Sequence, residues 1–273
     1  MRGSPRQRLR LAERDLWILE GIAQMRFLTT SQLSKLYFDG ARWYVNKRLR
    51  NLLDAGLVKV WVRNLAEENI YSITPSGLSA IRHRTSGISE FKIPYGLVEN
   101  LEHLLNINEV RISLALSLPQ LGAEISWWRS DWELRSHGRE RIIPDGLFLI
   151  KWHGLKEQAY ALEVDNNTRS TRTFLKKILA YDGLQARAGK IYGIANAIIL
   201  VSVADPKWLE RYRASVNRLR LGRRIWFARV EQMKCEGASA AVWVNGEEKK
   251  YSLREVTFCP YGKDKSAHET LSK

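Results

Sequence analysis

Between Gly40 and Gly56 the chain has the pattern of an amphipathic helix with a basic outer face. At about 100° of turn per residue, Val45, Leu49 and Leu52 share one stripe and must face a core. Opposite them stand Trp43, Asn46, Lys47 and Arg50, with Arg42 and Arg48 on the flanks. No acidic residue interrupts positions 41–53, and Gly56 sits where a helix naturally stops. The neighbouring segments narrow the choice further. Upstream, residues 9–23 place Leu9, Leu16, Leu19, Ile22 and Ala23 at helical spacing. Thr29 or Thr30 then caps a short helix carrying Leu33, Leu36 and Tyr37. Downstream, residues 57–63 alternate as a strand, and a polar turn at 64–69 leads to a second strand at 70–73. Thr74 caps another helix, with Pro75 at its first position.

Charge points the same way. The 273 residues hold 44 Lys and Arg against 29 Asp and Glu, a net charge of +15 and a pI near 9.9. Residues 1–90 carry 15 basic and 8 acidic groups, so charge per residue there is nearly twice that of the remainder. Such a surface seeks a polyanion. Helix, helix, basic helix and hairpin resembles a winged helix-turn-helix over residues 8–84, extending to Leu-Leu-Asp-Ala-Gly-Leu-Val before the wing and Tyr-Ser-Ile-Thr-Pro-Ser-Gly after it. The resemblance implies that the third helix enters a DNA major groove while the wing rests on the backbone. Arg50 and Asn46 are then suited to base edges, and Arg42, Lys47, Arg48 and the wing residue Arg63 to phosphates.

Residues 85–95 have the small and charged residues of a linker. Beyond it, residues 97–118 repeat Leu101, Leu104, Leu105, Val110, Leu114 and Leu118 at helical spacing. Strands are expected at 124–128, 132–135, 142–151 and 158–164, then a helix at 171–188 and a buried strand at 197–203. A helix begins at Asp205-Pro206, and a last strand covers 224–230. The order predicts an α/β domain with a mixed sheet over residues 96–260. The polar stretch 261–273 is expected to be a mobile tail.

The most pointed chemistry lies at two strand ends. Ile143-Pro144-Asp145-Gly146 opens one strand, and Ala161-Leu162-Glu163-Val164-Asp165 closes the next. Alternation puts Glu163 and Asp165 on one side of their strand, and a neighbouring strand can bring Asp145 beside them. Three such carboxylates suit Mg²⁺ or Mn²⁺, which relieves their repulsion and activates water against a phosphodiester. The bland alternative is that Pro-Asp-Gly is a turn and that residues 165–168 end a strand and cap a helix. Glu109 is either a further ligand or, more simply, a surface residue.

Pro-Asp, a hairpin, then a Glu within residues 98–203 resembles the PD-(D/E)xK nuclease superfamily, whose core runs α-β-β-β-α-β. The resemblance implies metal-holding roles for Asp145 and Glu163. Asp165 stands where the catalytic Lys belongs, and Lys176 or Lys177 on the next helix is the substitute it suggests. A winged helix followed by Pro-Asp-Gly-Leu-Phe, Leu-Glu-Val-Asp-x-x-Thr and a helix with Lys-Lys and a Tyr is similar to the replication-relaxation family of plasmids and mobile elements. That similarity implies a protein binding duplex DNA in replication, transfer or transcriptional control. Its alternative is a metal-dependent endonuclease or nickase using Asp145, Glu163, Asp165 and Lys177. A homodimer and replication or transfer proteins of the element are the expected partners.

Other classes find no support. No run of about 18 apolar residues exists to span a membrane, and no hydrophobic signal core follows the basic N-terminus, which leaves the cytoplasm. Cys235 and Cys259 are too few for a disulfide framework, and the five histidines lack metal spacing. Phosphate-cradling Gly-x-x-x-x-Gly-Lys-Ser/Thr and nucleophilic Gly-x-Ser-x-Gly motifs are absent. Trp127, Trp128 and Trp132 are expected in core packing or an interface before base stacking.

Overall fold

The computed structural model describes residues 10–64, 66–84, 91–137, 143–166, 170–181, 197–219, 225–245 and 249–258. They form two compact units, residues 1–108 and 109–273.

In the first unit, helix α1 (Glu13–Met25) buries Ile18, Leu19 and Ile22, and Asp15 reaches back to accept from the Ala12 N–H at 2.6 Å. Strand β1 (Leu28–Thr29) leads into α2 (Thr30–Tyr37). Thr29 and Gln32 cap that helix reciprocally, each side chain accepting from the other's backbone N–H at 3.2 Å. Helix α3 (Arg42–Asp54) buries Val45, Leu49 and Leu52, as its periodicity demands, and ends just before Gly56, whose φ is +71°. Strands β2 (Val58–Trp61) and β3 (Ile70–Ile73) pair antiparallel, and β1 adds to the other side of β3. Thr74 caps α4 (Pro75–Ala80) by accepting from the Gly77 N–H at 3.0 Å. This is a winged helix-turn-helix.

The unit does not end at the linker expected over residues 85–95. Helix α5 (Leu101–Ser117) gives its first turns to the winged helix, where Leu101 and Leu105 pack with Phe27 and Ile70. Asn108 donates to the carbonyls of Met25 at 3.1 Å and Phe27 at 2.8 Å, and Gln32 donates to that of Leu105 at 2.9 Å. The division therefore falls inside a helix, at Asn108/Glu109. Residues 85–90 of the expected linker and 261–273 of the expected tail lie outside the described residues.

In the second unit a five-stranded sheet has the order β4-β5-β6-β7-β8. Strands β4 (Ala123–Ser130), β5 (Gly146–Trp152) and β6 (Gln158–Asp165) are antiparallel neighbours. Strands β7 (Ile198–Val203) and β8 (Ile225–Arg229) continue parallel to β6. All six residues of β7 are buried, as a central parallel strand covered on both faces should be. Helices α7 (Thr171–Leu179) and α8 (Pro206–Arg218) cover one face. There Phe174, Ile178, Leu209 and Val216 pack on Ala161, Val201 and Val203, and the rings of Phe174 and Tyr212 stack at 3.9 Å. Short helices α9 (Val230–Glu236) and α10 (Leu253–Phe258) follow.

Two local expectations change. The strand predicted at 132–135 is helix α6 (Asp131–His137), because Ser130-Asp131-Trp132-Glu133 is a capping sequence. Glu133 accepts from the Ser130 N–H at 2.7 Å, and the buried Trp132 faces inward. Glu109 is buried rather than on the surface, since this stretch of α5 has Asn108, Val110, Ile112 and Leu114 buried around it. The helix expected over 171–188 is seen to Leu179, and residues 182–188 lie outside the described residues.

Candidate functional site

Helix α3 presents the first candidate surface. With Val45, Leu49 and Leu52 turned inward, Trp43, Asn46, Lys47 and Arg50 are all exposed. The other three nominated cations are engaged within the fold. Arg48 forms a two-pronged ion pair with fully buried Asp15, which raises its basicity above the ordinary value. Its place on the flank of α3 offers it to a phosphate, but the buried carboxylate of α1 claims it first. Arg42 pairs with Glu68 of the wing, and Arg63 pairs with Glu67 at 2.5 Å and with Glu102. Glu68 also accepts from Ser31, through its N–H at 3.2 Å and its hydroxyl. Partial burial pushes the Glu68 carboxyl up, but the Ser31 bonds and the Arg42 charge outweigh it and leave the group below its usual value.

The second candidate site lies in the sheet. Asp145 stands immediately before β5 and extends the ladder, its N–H donating to the Leu162 carbonyl at 3.0 Å. Its Oδ2 accepts from the Val164 N–H at 2.8 Å, so the carboxylate is fastened between Glu163 and Asp165 along β6. Asp145, Glu163 and Asp165 are 7%, 3% and 4% exposed, and all three are therefore inside the protein. Pro144-Asp145-Gly146 is more than a turn here. An added Cβ on Gly146 would lie 2.5 Å from Cζ2 of Trp128, so the glycine lets the indole close over the start of β5. Trp128, half-buried, stacks on Phe148 at 4.6 Å, with Arg111 over its ring at 5.1 Å, so its ring packs within the second unit.

Helix α7 completes the site. Phe174, Lys177, Ile178 and Tyr181 follow helical spacing and turn towards the sheet, whereas Lys176 is exposed. Lys177 Nζ donates to Glu163 Oε2, and the Tyr181 hydroxyl donates to Oε1. Burial, reinforced by the negative charge of Asp145, pushes the Glu163 carboxyl up to about 7; the Lys177 charge and the two hydrogen bonds hold it from rising further. Asp165 takes a different partner, the Tyr212 hydroxyl of α8, at 2.5 Å from its Oδ2. Sequence reasoning names Asp145, Glu163, Asp165 and Lys177 but assigns no site role to Tyr181 or Tyr212. Their places in the inward stripes 174-177-178-181 and 209-212-216 are the pattern that singles them out.

Among the described residues, no group of three or more His, Cys, Asp and Glu side chains is gathered for a metal ion. Chemically the centre is a pair of buried carboxyl groups: Glu163 is held by the Lys177 cation and the Tyr181 phenol, and Asp145 by the Val164 N–H. The second unit is a mixed α/β domain with Asp at the head of the second strand of its sheet, Glu in the third and Lys from the following helix, an arrangement that does not conflict with the PD-(D/E)xK resemblance of the sequence.

The chain belongs to the replication-relaxation family, which it matches over residues 19–198, from α1 to the first residue of β7. Membership connects it with the replication or relaxation of plasmids or mobile elements. Comparison with curated proteins and with solved structures returns no match. Among the described residues no helix is long and apolar enough to cross a membrane.

Proposed function

We propose that this protein binds duplex DNA through the outer face of α3, and acts through that contact in replication, transfer or transcriptional control of a mobile element. The observation that carries the reading is the exposure of Asn46, Lys47 and Arg50 together, opposite the buried stripe, on a helix with no acidic residue before Asp54. Arg50 has the forked donors for a guanine edge and Asn46 the amide for adenine, while Lys47 neutralises a phosphate. Dimer formation would double the contact and mirror a two-fold site.

Titrating labelled duplex across a salt series tests this. Log affinity should fall linearly with log salt, and Lys47→Ala should lower the slope by about one. Arg50→Ala should cost about 1–3 kcal/mol on a preferred sequence. Failure to retain duplex at low salt would sink the reading.

One observation favours a second reading, a metal-dependent endonuclease or nickase: Lys177 supplies from α7 the cation that position 165 lacks. Asp145 and Glu163 fit Mg²⁺ or Mn²⁺ as hard oxygen donors, with Glu163 raised first by burial and then by the charge of Asp145. Asp165 would join them only by leaving Tyr212. When bound, such an ion supplies an activated water and stabilises a leaving oxygen. The chain's own part is to orient Glu163 from both sides, with Lys177 on one oxygen and Tyr181 on the other. Supercoiled plasmid incubated with Mg²⁺, Mn²⁺ or EDTA decides it. Metal-dependent nicking by the wild type, lost in Asp145→Ala, supports the enzyme, and no nicking alongside retained DNA affinity rejects it.

A further inference from the structure

Helix α3 carries two exposed aromatic side chains next to each other. Trp43 is 65% exposed and Tyr44 61%. Their rings meet edge to face at 4.9 Å and 84°, and Lys47 Nζ lies over the indole at 5.4 Å from its centre. Trp43 and Lys47 are one turn apart, and Trp43 falls at the middle of the face that also carries Asn46 and Arg50. Neither aromatic belongs to the core stripe of Val45, Leu49 and Leu52.

We infer that Trp43 is a stacking platform for an unpaired base, so that the basic face of α3 prefers DNA whose strands are locally open. This rests on the reading that α3 docks on DNA and names the form of DNA it selects. Charge chooses the class of partner. A protein covering Trp43 would also have to cover Lys47 and Arg50, and burying unpaired charges is costly. A polyanion needs them.

Geometry chooses the form. In an intact duplex each base pair shows the groove only its edge, and an indole finds there at most a thymine methyl. An unstacked base shows its whole face, and stacking on an aromatic side chain is strong whatever the base. Lys47, held beside the ring, is placed to neutralise the phosphate that flanks the stacked nucleotide. Tyr44, edge-on to the indole, is a positioning residue that fixes its tilt.

The test uses the full chain, a mixed-sequence duplex and the same duplex with a central run of mismatched bases, compared by equilibrium binding at one salt concentration. Wild type should favour the mismatched DNA by about five- to a hundredfold. Trp43→Ala should abolish that preference, and Trp43→Phe should restore part of it. Since the side chain is exposed, both variants should fold as the wild type does. Equal binding of the two DNAs by wild type would overturn the inference and leave duplex binding standing. An equal loss on both DNAs in Trp43→Ala would also overturn it. Binding to neither DNA would instead be the failure of the underlying reading.

Discussion

Lys177 Nζ donates to Oε2 of Glu163, joining the second turn of α7 to the C-terminal end of β6. The two side chains are 18% and 4% exposed, so the contact is shielded from water and survives salt that would screen a surface pair. Tyr181, one turn further on, occupies the other oxygen. The carboxyl group between them is thus fixed in direction, while burial and the Asp145 charge keep its proton affinity high. Helix packing and carboxylate chemistry are coupled at this point.

That coupling has a pH signature. Glu163 holds its proton up to about pH 7 in the fold but loses it near 4.5 when unfolded, so between those values the folded state binds more protons. Stability contributed by this group should therefore fall as pH rises from about 4.5 through 7, with a total cost on the order of 3 kcal/mol. Urea unfolding at pH 5 and pH 8 should show the slope in wild type, and Glu163→Gln should flatten it.

Gly146→Ala should destabilise the second unit by about 1–3 kcal/mol, because the new methyl group strikes Trp128 at 2.5 Å. Thermal unfolding measures the loss. Combining the change with Trp128→Leu should recover part of it, which an effect of backbone conformation alone would not allow.

Arg48 and Lys47 are neighbours with opposite expectations. Arg48→Ala leaves Asp15 buried without its cation and should cost about 3 kcal/mol of stability. Lys47→Ala should leave stability within about 0.5 kcal/mol of wild type, while weakening DNA binding and making it less sensitive to salt. Denaturation midpoints and binding isotherms for the two variants separate these roles.

Glu68 holds Arg42 in an ion pair, away from the phosphate role that the proposed DNA contact would give it. Replacing it by Gln should release the guanidinium, raise affinity for duplex several-fold at low salt and steepen the salt slope by up to about one. An unchanged or reduced slope would mean that Arg42 stays out of DNA contact.

Much of the winged helix was legible because its cues are local. Thr29 and Thr74 are caps, Gly56 is a stop, and the 45-49-52 stripe needs nothing but helical period to be assigned. The carboxylate residues were legible as a motif, and Glu163 and Asp165 do lie on one side of β6. What they touch was not. Alternation cannot distinguish one helix from another above a strand, and here α7 claims Glu163 while α8 claims Asp165. Helix α6 differs from the strand expected at 132–135 for a local reason: Glu133 accepts from the Ser130 N–H and starts a helix there.

The sequence by itself determined most of the elements, the basic face of α3 and the family, since each depends on residues close together or on short motifs in order. Only the tertiary structure decided which lysine meets Glu163, which arginines are committed to internal ion pairs, and that the first half of α5 belongs to the winged helix. Those outcomes depend on contacts between residues far apart in the chain. Burial, which sets both the strength of a charge pair and the proton affinity of a carboxylate, exists only once those contacts have formed.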